Sequence, residues 1–256
     1  MPDTASTEDA DGPTAPEVSV IVPARNEADN LKELIREIQS TLSATAHEIL
    51  IVDDGSDDHT ADVLRDLKPD IAGLRHIRHE VPAGQSAAVR SGLLHARGDL
   101  ILTIDGDGEN DPAYFPAMVE KIIQAGPGTA LVAGQRLGRK ASFSKRLASK
   151  LANRIRSAFL GDGVRDSGCG LKCLRRSVFL DLPYFDGWHR YLPALVLREG
   201  YGIDVIDVVD RQRRHGVSKY GIFDRALVGI LDLCGVWWLR RRRRRVPTIS
   251  EITLED

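Results

Sequence analysis

Two carboxylates separated by a glycine, Asp105-Gly106-Asp107, follow directly on the apolar run Leu100-Ile-Leu-Thr-Ile104. Residues two apart in an extended backbone point to the same side, and the intervening glycine lets a ligand come close. Oxygen donors of this kind suit a hard divalent cation, Mg²⁺ or Mn²⁺, shared with a substrate diphosphate. A solvated acidic turn would explain an isolated Asp-x-Asp equally well. Its place at the end of an apolar strand favours the ligand. A second pair, Asp53-Asp54, closes the run His47-Glu-Ile-Leu-Ile-Val52 and could accept hydrogen bonds from a base N–H or a ribose hydroxyl. Asp57, Asp58 or Thr60, capping the helix that follows, would account for part of that cluster without any ligand. Farther on, Arg211, Arg213, Arg214 and Lys219 crowd into one stretch with His215 and Ser218. Solvated, they would repel one another; preorganised around a leaving diphosphate, they would stabilise the charge that develops on it.

These residues need a scaffold, and the chain supplies an alternating one. Val18-Ser-Val-Ile-Val22 is a β-branched run ended by Pro23, after which Leu31, Leu34, Ile35, Ile38 and Leu42 recur at helical spacing. His47 to Val52 predicts a second strand and Thr60 to Leu67 a helix. Leu74 to Arg78 is a weaker strand, Gln85 to Ala96 a helix, and Asp99 to Ile104 a clear strand. Pro112 opens another helix to about Gln124, since proline fits the first helical turn. Such alternation implies parallel βαβ units in a mostly parallel sheet with helices on both faces. Ligands bind such sheets beyond the carboxyl ends of the strands. Arg25-Asn26-Glu27, Asp53-Asp54 and Asp105-Gly-Asp107 all stand at those ends. The glycine-rich turn of a dinucleotide-binding dehydrogenase is missing after the first strand, where Pro23-Ala-Arg-Asn-Glu27 stands instead.

With 256 residues, 42% hydrophobic and 28% charged, the chain suits one α/β catalytic domain. Its cysteines, Cys169, Cys173 and Cys234, form neither a disulfide framework nor a zinc site, which fits a reducing compartment. The net charge of −2 hides two biased ends. Residues 1–17 are acidic and poor in apolar side chains, and are expected to be a disordered tail. Residues 224–239 read as an amphipathic helix whose Trp237-Trp238 precedes the run Arg240 to Arg245; residues 240–256 form a tail. Charged residues interrupt that helix too often for it to span a bilayer. Indole rings at headgroup depth with guanidiniums on anionic lipid would instead make it interfacial, although a helix packed on the domain shows the same periodicity. No nucleic-acid motif accompanies the arginines. With no secretory signal apparent, the expected location is cytoplasmic, peripheral at the inner face of the membrane.

Taken in order, Val18-Ser-Val-Ile-Val-Pro-Ala-Arg-Asn-Glu27, Ile51-Val-Asp-Asp-Gly-Ser56 and Ile104-Asp-Gly-Asp107 resemble the signatures of family 2 inverting glycosyltransferases. The resemblance implies an A-type glycosyltransferase fold over residues 18–223 that binds a nucleotide diphosphate sugar. It places Pro23, Ala24, Arg25 and Glu27 with Asp53 and Asp54 around the nucleoside, Asp105 near the ribose or metal, and Asp107 on the metal. Asp166-Ser-Gly-Cys-Gly-Leu-Lys172 and the Arg211 to Tyr220 segment are similar to the branch that glycosylates polyprenyl phosphates. That similarity implies Asp166 at the acceptor, Arg136 of Gly134-Gln-Arg136 against the acceptor phosphate, and Arg211, Arg213, His215, Ser218 and Lys219 near the phosphates. Among these, Asp107, Asp166, Arg213 and Lys219 carry the catalytic expectation.

The implied reaction is metal-dependent, inverting transfer of a hexose from a GDP- or UDP-sugar to a polyprenyl phosphate. The same fold acting on a glycan or soluble acceptor, and a non-catalytic nucleotide-sugar-binding protein, are the alternatives. An ionised lipid phosphate is already a nucleophile, so Asp166 would position rather than deprotonate it. No Gln-x-x-Arg-Trp signature of processive synthases is present, which implies one transfer per acceptor.

Overall fold

The computed structural model describes residues 15–137, 156–157, 159–211 and 223–242. Four of the expected phosphate-site residues, Arg213, His215, Ser218 and Lys219, lie outside that set, as do residues 1–14 and the arginines from Arg243 onward.

Strands β1 (Val18–Ala24), β2 (His47–Asp53), β3 (Leu74–Arg78), β4 (Leu100–Thr103), β5 (Thr129–Arg136), β6 (Lys172–Arg175) and β7 (Gly202–Val208) form one sheet in the order β3-β2-β1-β4-β6-β5-β7. The pairs β1–β2, β1–β4, β2–β3 and β5–β7 are parallel, whereas β6 runs antiparallel between β4 and β5. The helices are α1 (Ala28–Thr41), α2 (Thr60–Leu67), α3 (Gln85–His95), α4 (Phe115–Gln124), α5 (Arg176–Asp181), α6 (Leu192–Glu199) and α7 (Phe223–Arg241). Short 3₁₀ turns cover Pro112–Tyr114 and Trp188–Arg190. The fold is the expected A-type α/β architecture with a mostly parallel sheet.

Both faces of the central strands are covered, which is why β1 and β2 read as continuous apolar runs rather than alternating ones. Val18, Val20 and Val22 face a layer built from α1, α2 and α4, with Leu31, Ile35, Leu64, Phe115 and Met118 in the core. Ile21 and Val52 face the opposite layer, where α3, α5, α6 and α7 contribute Leu93, Phe179, Leu195 and Val236. Each fully buried aliphatic side chain contributes about 1.5–3 kcal/mol.

Pro23 does not end its strand, as expected from sequence; β1 continues to Ala24. Asp54 N–H donates to the Ala24 carbonyl and Ile104 N–H to that of Ile21, so Pro23 directs its backbone toward the β4 side. Strand β4 has already ended at Thr103, opposite Ile21. In this register the next ladder bond would run from residue 23 N–H to the Ile104 carbonyl, and proline has no N–H to give, so pairing with β4 stops there.

Candidate active site

The first two strand ends are bound to each other. Asn26, whose φ is 58°, donates its backbone N–H to Ser56 Oγ at 2.9 Å and its side-chain amide to Asp57 at 2.6 Å. Thr60 Oγ1 accepts from Glu27 N, and Asp58 accepts from both Ala28 N and Thr60 N. Asp58 thus serves the starts of two helices, the role foreseen for one of Asp57, Asp58 and Thr60.

Asp53 and Asp54 are both buried, and their oxygens are engaged by the protein. Asp53 accepts from Ser56 N and from Arg78, each at 2.8 Å. Asp54 accepts from Ala83 N, Gly84 N and His79. Burial pushes its carboxyl upward, but these donors outweigh it and hold it below the ordinary carboxylate value. By gripping residues 83 and 84, Asp54 fixes the start of α3. Gln85, the first residue of that helix, then donates to Asp105 Oδ1 at 2.8 Å. Of the expected nucleoside-contacting pair, Asp54 thus holds the loop that presents Gln85 to Asp105, while Asp53 holds Ser56 and Arg78. Pro23 lines the cavity, Ala24 is buried beneath it, Arg25 is exposed and Glu27 accepts from Asn30 Nδ2.

Asp105, Arg136 and the residue 168–170 loop meet in one cavity of about 430 Å³. Thr103 Oγ1 donates to the Gly170 carbonyl at 2.6 Å, pinning this loop to the end of β4. Gly170 is required here: a Cβ on it would lie 2.5 Å from Asn110 Oδ1 and 2.6 Å from Asp105 Oδ2. Asn110 is 2% exposed, and its Oδ1 has no hydrogen-bond partner among the described residues. Two oxygen acceptors therefore converge with no donor between them. Burial, and next the neighbouring Asp107 charge, push the Asp105 carboxyl up to about 6. No group of three or more His, Cys, Asp or Glu side chains among the described residues is arranged to hold a metal. The fit to a hard cation rests instead on the mixed oxygen set of Asp105, Asp107 and the orphaned amide oxygen of Asn110. Glu109 N–H donates to Asp107 Oδ1 at 3.1 Å, and Gly106 lies close under the chain, where a Cβ would sit 3.0 Å from Pro23 O.

Asp166 and Arg136 are brought together. Nε and a terminal nitrogen of Arg136 donate to the two Asp166 oxygens at 2.5 and 3.0 Å, and Asp210 lies 3.7 Å from the guanidinium. Burial works against the Asp166 charge, but Arg136 prevails and keeps the carboxyl below its usual value. Arg136 stays charged for the same reason.

Arg211 stands apart from the main cavity. It was expected near the phosphates, but its guanidinium lies between Glu37 and Asp111 in a separate surface cavity, at 2.5 and 2.6 Å. Its backbone N–H donates to the Glu109 carbonyl at 2.7 Å. The acidic partners on α1 and beside the 3₁₀ turn hold it there, so it anchors the start of the basic segment outside the main cavity.

Sequence reading missed Gln85, Lys172, His189 and Arg190, all of which line the main cavity. Lys172 sat within a recognised segment without a role. His189-Arg190 had only its polarity between Trp188 and Tyr191 to mark it. The first turn of α3 secures that pair: Ser86 Oγ accepts from Gly187 N at 2.9 Å and lies 2.6 Å from His189 Nδ1, and Trp188 Nε1 donates to the Ser86 carbonyl. Burial foremost, then the Lys172 and Arg190 charges, pushes His189 down to about 3, so its ring is neutral at physiological pH.

The fold and site define a glycosyltransferase-type α/β domain, and comparison with known proteins gives the family. Residues 19–182 match the model of glycosyl transferase family 2, and the chain belongs to that family. It is 34% identical over 235 residues to a dodecaprenyl-phosphate galacturonate synthase of Rhizobium johnstonii, covering 90% of this chain and 69% of the relative. It is 33% identical over 212 residues to an undecaprenyl-phosphate 4-deoxy-4-formamido-L-arabinose transferase of Edwardsiella ictaluri, covering 80% of this chain and 63% of that relative. The chain thus spans about two thirds of the length of these curated relatives.

Among solved structures, mannosyl-3-phosphoglycerate synthase from Rubrobacter xylanophilus is similar in fold, with a TM-score of 0.66 and 23% identity over 92% of this chain and 79% of that one. Glucosyl-3-phosphoglycerate synthase from Mycobacterium tuberculosis, solved with Mn²⁺, UDP-glucose and phosphoglyceric acid, gives 0.65 and 22% over 86% and 80%.

Proposed function

We propose that this protein transfers a hexose, with inversion, from a nucleotide diphosphate sugar to a polyprenyl phosphate at the cytoplasmic face of a membrane. The relatives' names support the lipid acceptor and widen the sugar class to galacturonate and 4-deoxy-4-formamido-L-arabinose. The observation that carries this reading is the shared cavity, lined by Asp105, with the buried amide oxygen of Asn110 behind the same glycine, and by Arg136, which Asp166 holds.

In this account Asp105, Asp107 and Asn110 would hold Mg²⁺ or Mn²⁺, which would supply positive charge to the departing diphosphate. Pro23, Ala24, Arg25 and Glu27 receive the nucleoside, over a floor kept in place by Asp53 and Asp54. Arg213, His215, Ser218 and Lys219, outside the described residues, are assigned to the phosphates by their charge and hydrogen-bonding capacity, and Arg211 precedes that segment. An acceptor phosphate oxygen attacks the anomeric carbon from the side opposite the diphosphate. The new C–O bond forms as the bond to the diphosphate breaks, and the nucleotide diphosphate departs with that electron pair.

Neither Asp166, held ionised by Arg136, nor His189, pushed down to about 3, is tuned to take a proton near neutral pH. An alcohol acceptor would require such a base; an ionised lipid phosphate does not. Asp166 instead orients Arg136 toward the acceptor.

Helix α7 offers the membrane contact. No helix among the described residues is long and apolar enough to cross a membrane. Leu231 and Trp238, 64% and 52% exposed, lie seven residues apart on one helical face, with Arg242 at the end of that face. Trp237 turns inward and stacks on Phe159 at 5.6 Å, so the interfacial role falls to Trp238 and Arg240 through Arg245.

The test is transfer of radiolabelled sugar from a panel of GDP- and UDP-sugars into organic-extractable lipid, with polyprenyl phosphate and Mg²⁺ or Mn²⁺. Metal-dependent label that vanishes in Asp107→Ala is the expected result. Label that reaches a soluble acceptor while lipid stays unlabelled would refute the acceptor assignment.

A further inference from the structure

Besides Arg136 the cavity is lined by two further cations, Lys172 and Arg190. Arg136 is engaged by Asp166 and Asp210. Lys172 is different: its side chain is 4% exposed, and its one hydrogen bond among the described residues goes to the neutral carbonyl of Cys169. An ammonium in that setting retains donors that a carbonyl cannot satisfy, and its charge, which burial penalises, is partly offset without direct pairing by Asp105 and Asp166. Arg190, exposed at the same cavity, has no carboxylate within ion-pair distance among the described residues. Between them in influence stands His189, whose titration both cations suppress.

His189 lines the cavity, is anchored through Nδ1 to Ser86, and makes no hydrogen bond through Nε2 among the described residues. The supports are rigid. Lys172 stands on β6 in register with Thr103, and residues 187–190 are tied to the first turn of α3 by three contacts at Ser86. Two cations and a ring nitrogen on fixed elements, lining one cavity, make an oxyanion receptor.

We propose that Lys172 and Arg190, with Nε2 of His189, form an oxyanion-binding subsite separate from the Asp105 cation site. Resting on the transferase reading above, it takes an anionic oxygen group of a substrate other than the donor diphosphate. That group is the phosphate of the lipid acceptor or a carboxylate carried by the donor sugar.

Binding titrations with the full chain distinguish the two sources. The probes are farnesyl phosphate and the pair UDP-glucuronate and UDP-glucose, which differ only in the carboxylate. The variants are Arg190→Gln, at an exposed position, and Lys172→Met, with thermal melts as a check on folding. Loss of one charge-assisted contact weakens binding by about 10- to 100-fold. If the phosphate is the ligand, Arg190→Gln weakens farnesyl phosphate by that factor and leaves both UDP-sugars within about twofold. If the carboxylate is the ligand, the variant weakens UDP-glucuronate by that factor and leaves UDP-glucose unchanged. Affinity for all three probes unchanged in Arg190→Gln, or equal loss for all three, would overturn the subsite. Because these are binding measurements, failure of lipid labelling in the transfer assay would count against the acceptor assignment without deciding this one.

Discussion

Replacing Gly170 with alanine perturbs the candidate site through one methyl group. The backbone at residue 170 is not among the left-handed glycines, so alanine adds no conformational strain there. The added Cβ would stand 2.6 Å from Asp105 Oδ2 and 2.5 Å from Asn110 Oδ1, against about 3.4 Å for ordinary contact. Both oxygens must therefore retreat by roughly 0.8–0.9 Å, or the loop must lift off Thr103. Asn110 is fully packed and cannot retreat, and Asp105 can do so only toward the cavity by giving up its 2.8 Å contact with Gln85. A misplacement of about 1 Å at a reacting centre lowers the rate by about 100-fold. Gly170→Ala is expected to lose activity on that scale and to require more Mg²⁺ or Mn²⁺ for half-maximal rate. Its melting temperature should fall by only a few degrees, since about 1 kcal/mol of surface-loop strain shifts Tm modestly in a domain this large. The checks are kcat against metal concentration and a thermal melt. A variant with kcat within about threefold of the parent and the same metal dependence would refute the cradle formed by Asp105, Asn110 and Gly170.

Three further predictions follow from individual contacts. Arg136→Ala leaves Asp166 mostly buried without its partner and should destabilise the protein by about 3 kcal/mol in chemical denaturation, whereas Arg136→Met combined with Asp166→Leu should recover much of that loss. For His189 the folded value near 3 lies below the ordinary 6.5, so between these values the unfolded chain binds the proton and the folded one does not; stability rises with pH across that window. Relative to the parent, His189→Gln should flatten the stability curve between pH 6.5 and pH 5 by up to about 1.4 kcal/mol per pH unit, read from urea midpoints. In vesicle sedimentation with anionic lipid, Trp238→Ala should reduce binding severalfold at constant Tm, while Trp237→Ala, which loses the stack on Phe159 and the overlying Arg241, should lower Tm.

The first half of the sheet was legible because its strands are buried on both faces and end in polar clusters. Val20 to Val22, Ile49 to Val52 and Leu100 to Leu102 are uninterrupted apolar runs, and the helices between them show the 3.6-residue period. The second half was less so. Strand β6 has only four residues, Lys172–Arg175, and carries charge at both ends. It is a strand because β4 and β5 flank it, and an antiparallel insertion of this kind leaves no alternating pattern to read. Arg211 shows the same limit: its charge suggested a phosphate, and two carboxylates distant in sequence, Glu37 and Asp111, hold it elsewhere.

By itself the sequence determined the family, the alternation of strands and helices, and the acidic residues at the carboxyl ends of β2 and β4, because these are local patterns of residue type. Tertiary structure alone decided which side chains face one another. It directed Asp54 into the loop that presents Gln85, joined Arg136 to Asp166 across 30 positions, and carried His189 to Ser86 across 103. Such pairings depend on where the chain returns, and local periodicity does not encode that.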